Sequence, residues 1–264
     1  GHGKKQDVLI EDNLIYESAP GGGCWGIQID AAYTSDEEFR NLIIRGNRVY
    51  NTGNASIAIG SCIDCLIENN NVVNEMPGFT LIGIGTGNPP DEVDAKNENL
   101  VIRNNSIYLN TEKAADGIRL KAGHGFDYTI VSNAIELASP AAEVGNRRAS
   151  CFIFEERTEV AMADHNICHY QAEEQGGWTS DGWNDITPMS LDEWQEQTGF
   201  GANSLNELPV FISTVGPDYD LRPDLLSSPL IDAGHPTLSA PKDFSGNDRD
   251  ASPDVGAHEA AGPN

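Results

Sequence analysis

The chain has 264 residues, 39% of them hydrophobic and only 7% aromatic, which is enough apolar material for one sizeable core in a single extended unit. Its 41 Asp and Glu against 16 Lys and Arg leave a formal net charge of −25, and this excludes nucleic acid as a partner, because phosphate contacts need clustered cations. No stretch approaches the roughly 20 continuous apolar residues of a membrane-spanning helix, so membrane insertion is not expected.

Along the chain one short phrase recurs six times. The copies are VLIEDNLIY from Val8, LIIRGNRVY from Leu42, CLIENNNVV from Cys65, LVIRNNSIY from Leu100, YTIVSNAIE from Tyr128 and VAMADHNIC from Val160. Each alternates apolar and polar residues, kinks at a polar sixth place (Asn13, Asn47, Asn70, Asn105, Asn133, then His165) and ends in a second apolar pair. Repeats spaced 23 to 35 residues apart mean a solenoid. Period-two alternation makes the repeating unit a strand rather than a helix. The Asn is expected to turn the chain sharply, because it tolerates the left-handed backbone region. Stacked in register, these side chains would form a hydrogen-bonded ladder.

A second set of strands is predicted at WGIQID (25–30), SIAIGS (56–61), LIGIGT (81–86), GIRLKA (117–122) and CFIFEE (151–156). Strand, turn, strand, repeated with parallel stacking, predicts a right-handed parallel β-helix over residues 1–171. The opening GHGKKQDV has no apolar signal region, so either a signal has been removed or the chain is a fragment. Starting at once on VLIEDN would leave an open coil facing water, and upstream coils or a partner chain are expected there.

The five cysteines (Cys24, Cys62, Cys65, Cys151, Cys168) have no zinc-like pairing, and they read as buried small fillers with at most one disulfide. In DHNICHY, alternation sends His165 and Cys168 to opposite faces, against a zinc site. After Gln171 the pattern changes. GGWTSDGWNDITPM reads as a loop, and SLDEWQEQTGFG as a short helix with Ser190 and Glu193 at capping-box spacing and Gly199 or Gly201 as its stop. Strands are predicted at LPVFIS, YDLRP, SSPLIDAG and PDVGAHE, and residues 172–264 are expected to cap and wrap the solenoid. DFSGNDRD gathers oxygen ligands around Gly246 and brings calcium into consideration, but it lacks the bidentate Glu and full spacing of a calcium loop. Asp243, Arg249 and Asp254 read better as pairs pinning the tail.

The run SLDEWQEQTG, NSLNELPVF, DYDLRPDLLSSPLIDAGHP and DFSGNDRDASPDVGAHE resembles the C-terminal region of secreted bacterial right-handed β-helix proteins of the pectate-lyase-like superfamily. With the six phrases, the resemblance covers nearly the whole chain. It implies an extracellular setting and carbohydrate as the substrate class: polysaccharide lyases, uronate epimerases, glycoside hydrolases, and also non-catalytic adhesins. It implies fold more strongly than chemistry.

Alternation along the second strand set turns Gln28 and Asp30, Ala58 and Gly60, Gly83 and Gly85, Arg119 and Lys121, then Ile153 and Glu155 outward. This is a floor of small residues between polar walls, suited to a sugar chain. A lyase neutralises a uronate carboxylate and abstracts the adjacent proton; Arg119 and Lys121 are the candidates, with His124, Asp116 and Glu155 as acids or cation ligands. Gln28, Asp30, Gly60, Gly83 and Gly85 are the candidate substrate-binding residues. A hydrolase would need two carboxylates, of which Asp116 with Glu155 or Glu156 is the available pair. The bland alternative is that Arg119 and Lys121 merely balance neighbouring carboxylates. The sharpest expectation is a polyuronate lyase or epimerase, against a non-catalytic stalk, adhesin or glycan-binding module. The strong negative charge opposes a polyanionic glycan unless calcium or a local basic patch intervenes.

Overall fold

The computed structural model describes residues 3–18, 23–30, 37–75, 82–87, 95–112, 115–138, 149–171, 177–180 and 189–260. Within them the chain winds as a parallel β-helix whose strands recur every fourth element in four stacked sheets. Sheet one holds the first half of each phrase: Leu9–Glu11, Ile43–Arg45, Leu66–Glu68, Val101–Arg103, Tyr128–Val131 and Val160–Asp164. Sheet two holds the second half, from Leu14–Tyr16 to Ile167–Tyr170. Sheet three holds Ile27–Ile29, Ala55–Ile59, Ile82–Thr86, Asp116–Leu120, Ser150–Phe154 and Trp178–Ser180. Trp178–Ser180 was expected to be loop; it is the sixth rung of sheet three, beside Phe152–Phe154.

The fourth sheet, a corner sheet of Lys4–Gln6, Glu38–Arg40, Cys62–Ile63, Asn97–Glu98 and Gly125–Phe126, has no counterpart among the predicted strands. Inward residues stack like on like. Ile10, Ile44, Ile67, Ile102 and Ile130 form one column and Ile27, Ile57, Ile84, Ile118, Phe152 and Trp178 another. Each rung buries its aliphatic face about 4.8 Å from the next.

Between sheets one and two runs the Asn ladder. Asn13, Asn47, Asn70 and Asn105 each donate their Nδ2 to the Oδ1 of the next Asn, and Asn133 donates to Asn166. Each Oδ1 also accepts a backbone N–H from the previous coil, so no rung of the buried corner is left without a partner. Two details differ from the expectation. The left-handed residue is the one before the Asn: Asp12, Gly46, Asn69, Asn104, Ser132 and His165 have φ between 50° and 64°. In the sixth copy the ladder residue is Asn166 rather than His165, because a one-residue bulge after Val160 shifts the register.

The helix Leu191–Thr198 has the capping box of Ser190 and Glu193 and ends on Gly199 at φ 75°. It closes the solenoid by burying Trp194 against Trp178, Phe154 and Phe200. The tail then runs back along the outer face of sheet two, where Phe211, Leu221, Leu230 and Val255 pack on Val73, Tyr108, Ala134 and Ile167. Of the expected tail strands, Phe211–Ser213 and Asp220–Pro223 form, as an antiparallel pair. SSPLIDAG and PDVGAHE are turns and irregular chain, their apolar residues serving only as plugs. Buried Arg249 pins this tail to the solenoid through Asn69 Oδ1 (3.1 Å), Glu259 (2.8 Å) and the carbonyls of Asp254, Gly256 and His258.

Four of the cysteines are paired, Cys62 with Cys65 at a corner and Cys151 with Cys168 across the C-terminal coils, where at most one bridge was expected; Cys24 is free and exposed. No helix among the described residues is long and apolar enough to cross a membrane.

Candidate functional site

Register across sheet three fixes which candidate residues share a face. Gln28, Ala58, Gly85, Arg119 and Ile153 form one outward row. One residue beyond each strand, Asp30, Gly60, Gly87, Lys121 and Glu155 form a second row along the corner, laced by backbone bonds from Gly60 to Ile29, Gly87 to Ile59 and Glu155 to Leu120. Gly83 belongs to neither row. A Cβ there would lie 3.1 Å from Cγ2 of Ile107, and one at its neighbour Gly117 would lie 2.7 Å from Cγ2 of Ile135, so both positions face the interior of sheet two. Simple alternation slips at this point: Gly85 takes the first-row place assigned to Gly83, and Gly87 the second-row place assigned to Gly85.

The first row is not an open trough. Ala58, Arg119 and Ile153 are almost wholly buried, and Ala55, Ala58 and Ile82 pack with Trp25 on the outer face of the sheet. Arg119 is spent in a closed ion group. Its Nε and Nη2 donate to Glu155 Oε1 at 2.8 and 2.6 Å, and its Nη1 reaches Asp116 Oδ2 at 3.2 Å. Burial pulls the guanidinium below its ordinary range, and the Glu155 contact opposes this. A guanidinium so saturated is not available to a substrate carboxylate, and Asp116 and Glu155 are bridged by it rather than set apart for hydrolysis. Glu156 stands apart, accepting from Thr158 at 2.8 Å.

The second row reaches solvent at Asp30 and Lys121, which are half-buried, while the Glu155 side chain is 7% exposed and Gly60 and Gly87 are covered. Lys121 folds back along the row, donating from Nζ to the Gly87 carbonyl at 3.1 Å. Burial and the like charge of Arg119 lower its ammonium pKa, against the pull of Glu155 and Asp30. Gln28 donates to Asp30 at 2.9 Å.

Just past Lys121 the turn is gripped by two carboxylates, with Ala122 N–H on Glu155 and Gly123 N–H on Glu159 at 2.7 Å. His124 is buried there and held neutral, its pKa pushed down to about 4 by burial and then by Lys121 and Lys96. Burial raises Glu159. Lys121, His124, Glu155 and Glu159 thus meet at one corner. Glu159 and Gly87 were not singled out in the sequence; only the coil register identifies them.

The other sequence candidates are structural. Asp243 accepts from the backbone of Ser245 and Asn247 and closes its own loop. Cys168 lies in a disulfide, while the His165 ring packs on His235 at 4.7 Å. Among the described residues no cluster of three or more His, Cys, Asp or Glu is arranged to hold a metal ion.

A second concavity lies between sheet two and the returning tail. This cleft of about 550 Å³ is lined by Arg48, Tyr50, Tyr219, Asp220, Arg222 and His258, among others. Tyr50 and Tyr219 meet edge to face at 4.9 Å, and the Arg48 guanidinium lies 4.4 Å above the ring of Phe244.

Neither a family model nor a curated protein matches this sequence.

Proposed function

We propose that this chain is an extracellular glycan-binding β-helix whose contact strip is the row Asp30, Gly60, Gly87, Lys121 and Glu155. The observation that carries the reading is the closed ion group of Arg119 with Asp116 and Glu155, which takes three of the five candidate catalytic side chains out of acid–base work. What remains is a polar strip crossing successive coils at about 4.8 Å intervals, with one half-exposed cation above two glycines. Two disulfides are compatible with an oxidising compartment.

The lowered Lys121 pKa favours a second reading, a polyuronate lyase or epimerase with Lys121 as base, since a less basic ammonium gives up its proton more readily. One experiment separates them: incubation with a panel of polyuronates, following both absorbance from a new unsaturated bond and retention on immobilised glycan. Retention without new absorbance, weakened by Lys121→Ala, is the expected result. New absorbance lost in Lys121→Ala would favour the lyase. Retention unchanged by Lys121→Ala, with no new absorbance, removes the strip from consideration.

A further inference from the structure

We infer that the cleft between sheet two and the tail is a second saccharide site, built for a sugar ring that carries a carboxylate. This deepens the glycan-binding reading and rests on it for the ligand class, but on different residues for the site. The wall of the cleft is aromatic: Tyr50 and Tyr219 packed edge to face with an interplanar angle of 65°, and Phe244 covered by Arg48. Such rings offer apolar faces to the C–H side of a sugar, and their hydroxyls stay polar. Tyr219 is oriented by Asn51, which donates to its hydroxyl at 3.1 Å.

The polar side is as specific. Arg222 and Asp220 face each other in a fork, with Nε and Nη2 at 2.9 and 2.6 Å from the carboxylate oxygens, and the Arg222 side chain is 59% exposed. Arg48 and Arg222 balance Asp218 and Asp220, so the lining has no net charge on a chain of −25. An anion meets less local repulsion here than the overall field implies. Asp220 takes the Nε and Nη2 edge of Arg222; unlike buried Arg119, whose Nη1 is also engaged, exposed Arg222 keeps Nη1 to meet a second carboxylate.

His258 gives an independent pointer to a ligand. It lines the cleft, is 7% exposed and shares its Nε2 with Asn71 at 3.0 Å, while its Nδ1 has no hydrogen-bond partner among the described residues. Burial holds it neutral, with a pKa pushed down to about 4. Where Nε2 accepts from the Asn71 amide, Nδ1 carries the proton and is left as a buried donor without a partner at the edge of the cleft.

The test is calorimetric titration of the whole chain with a free uronic acid, its short oligomers and the matching neutral sugar, using wild type, Arg222→Gln and Lys121→Ala. Arg222 is exposed, so its substitution leaves the fold intact, which a melting curve checks. Uronate binding that weakens about tenfold in Arg222→Gln, with the neutral sugar binding more weakly to wild type, is the expected result. Binding unaffected by Arg222→Gln but lost in Lys121→Ala overturns the cleft and keeps the strip. Loss in Arg222→Gln alone establishes the cleft and overturns the strip. No uronate binding to wild type overturns both, and equal affinity for neutral sugar overturns the carboxylate assignment.

Discussion

Asn70 Nδ2 donates to Asn105 Oδ1 at 3.0 Å across 35 residues of sequence, and the Asn105 amide in turn donates to the carbonyls of Ile67 and Arg103 and to Asn133. Replacing Asn105 by Ala strands several buried partners at once, at about 1–3 kcal/mol for each group left unpaired. Asn105→Ala is therefore expected to cost at least about 3 kcal/mol by denaturant titration, and Asn13→Ala, at the exposed first rung, under about 1 kcal/mol. Equal losses at the two positions would mean that the ladder does not carry the stability assigned to it.

The Arg119 ion group makes a prediction of a different kind. Arg119→Met leaves Asp116 and Glu155 buried without their cation, a change worth about 3–5 kcal/mol. Adding Asp116→Asn and Glu155→Gln removes the uncompensated charge, so the triple variant should be more stable than the single one. If the three losses simply add, the residues do not act as a closed unit.

Buried groups of two kinds make stability depend on pH in opposite directions over nearly the same window, from about 4 to about 7. Burial pushes Glu136 up to about 7 from 4.5, so the fold favours its protonated form, and stability is lost as pH rises through that window. His124 and His258, pushed down to about 4 from 6.5, act oppositely; the unfolded chain takes up their protons first, and stability is lost as pH falls from 6.5 to 4. Glu136→Gln should raise the melting temperature at pH 8 and leave it nearly unchanged at pH 4.5. A rise of the same size at both values would contradict the assignment.

The two disulfides close loops of different length, three and seventeen residues apart in sequence. Chain-entropy arguments give about 3 kcal/mol for the longer loop and about 2 for the shorter. Melting of Cys151→Ala/Cys168→Ala against Cys62→Ala/Cys65→Ala tests the order. The first pair should lose more, also because Cys168 fills an inward position of sheet two beside Ile135.

Sheets one and two were legible because each phrase carries its own periodicity, and the ladder because Asn returns at one offset. The corner sheet was not, since two-residue strands such as Cys62–Ile63 are too short to show any period. Gly83 was turned the wrong way by a slip that alternation cannot register, and Asn166 was missed because one inserted residue moves the offset. Arg119 and Lys121 lie two residues apart in sequence yet differ in environment; what separates them is the carboxylate of Glu155, one coil away, which Arg119 grips with two hydrogen bonds. The cleft joins Arg48 to Arg222 across the solenoid and the tail, a distance at which no local pattern exists.

On sheet one the outward residues run Glu11, Arg45, Glu68 and Arg103 in successive coils, with Arg45 on Glu11 and Arg103 on Glu68 at 2.8 Å. Parallel stacking otherwise sets identical faces one above another, and such a column would tolerate a coil being skipped. Alternating sign forbids this: a rung that slid by one coil would set Glu on Glu and Arg on Arg. The side chains thus number the coils and keep a repetitive chain from miscounting itself as it winds.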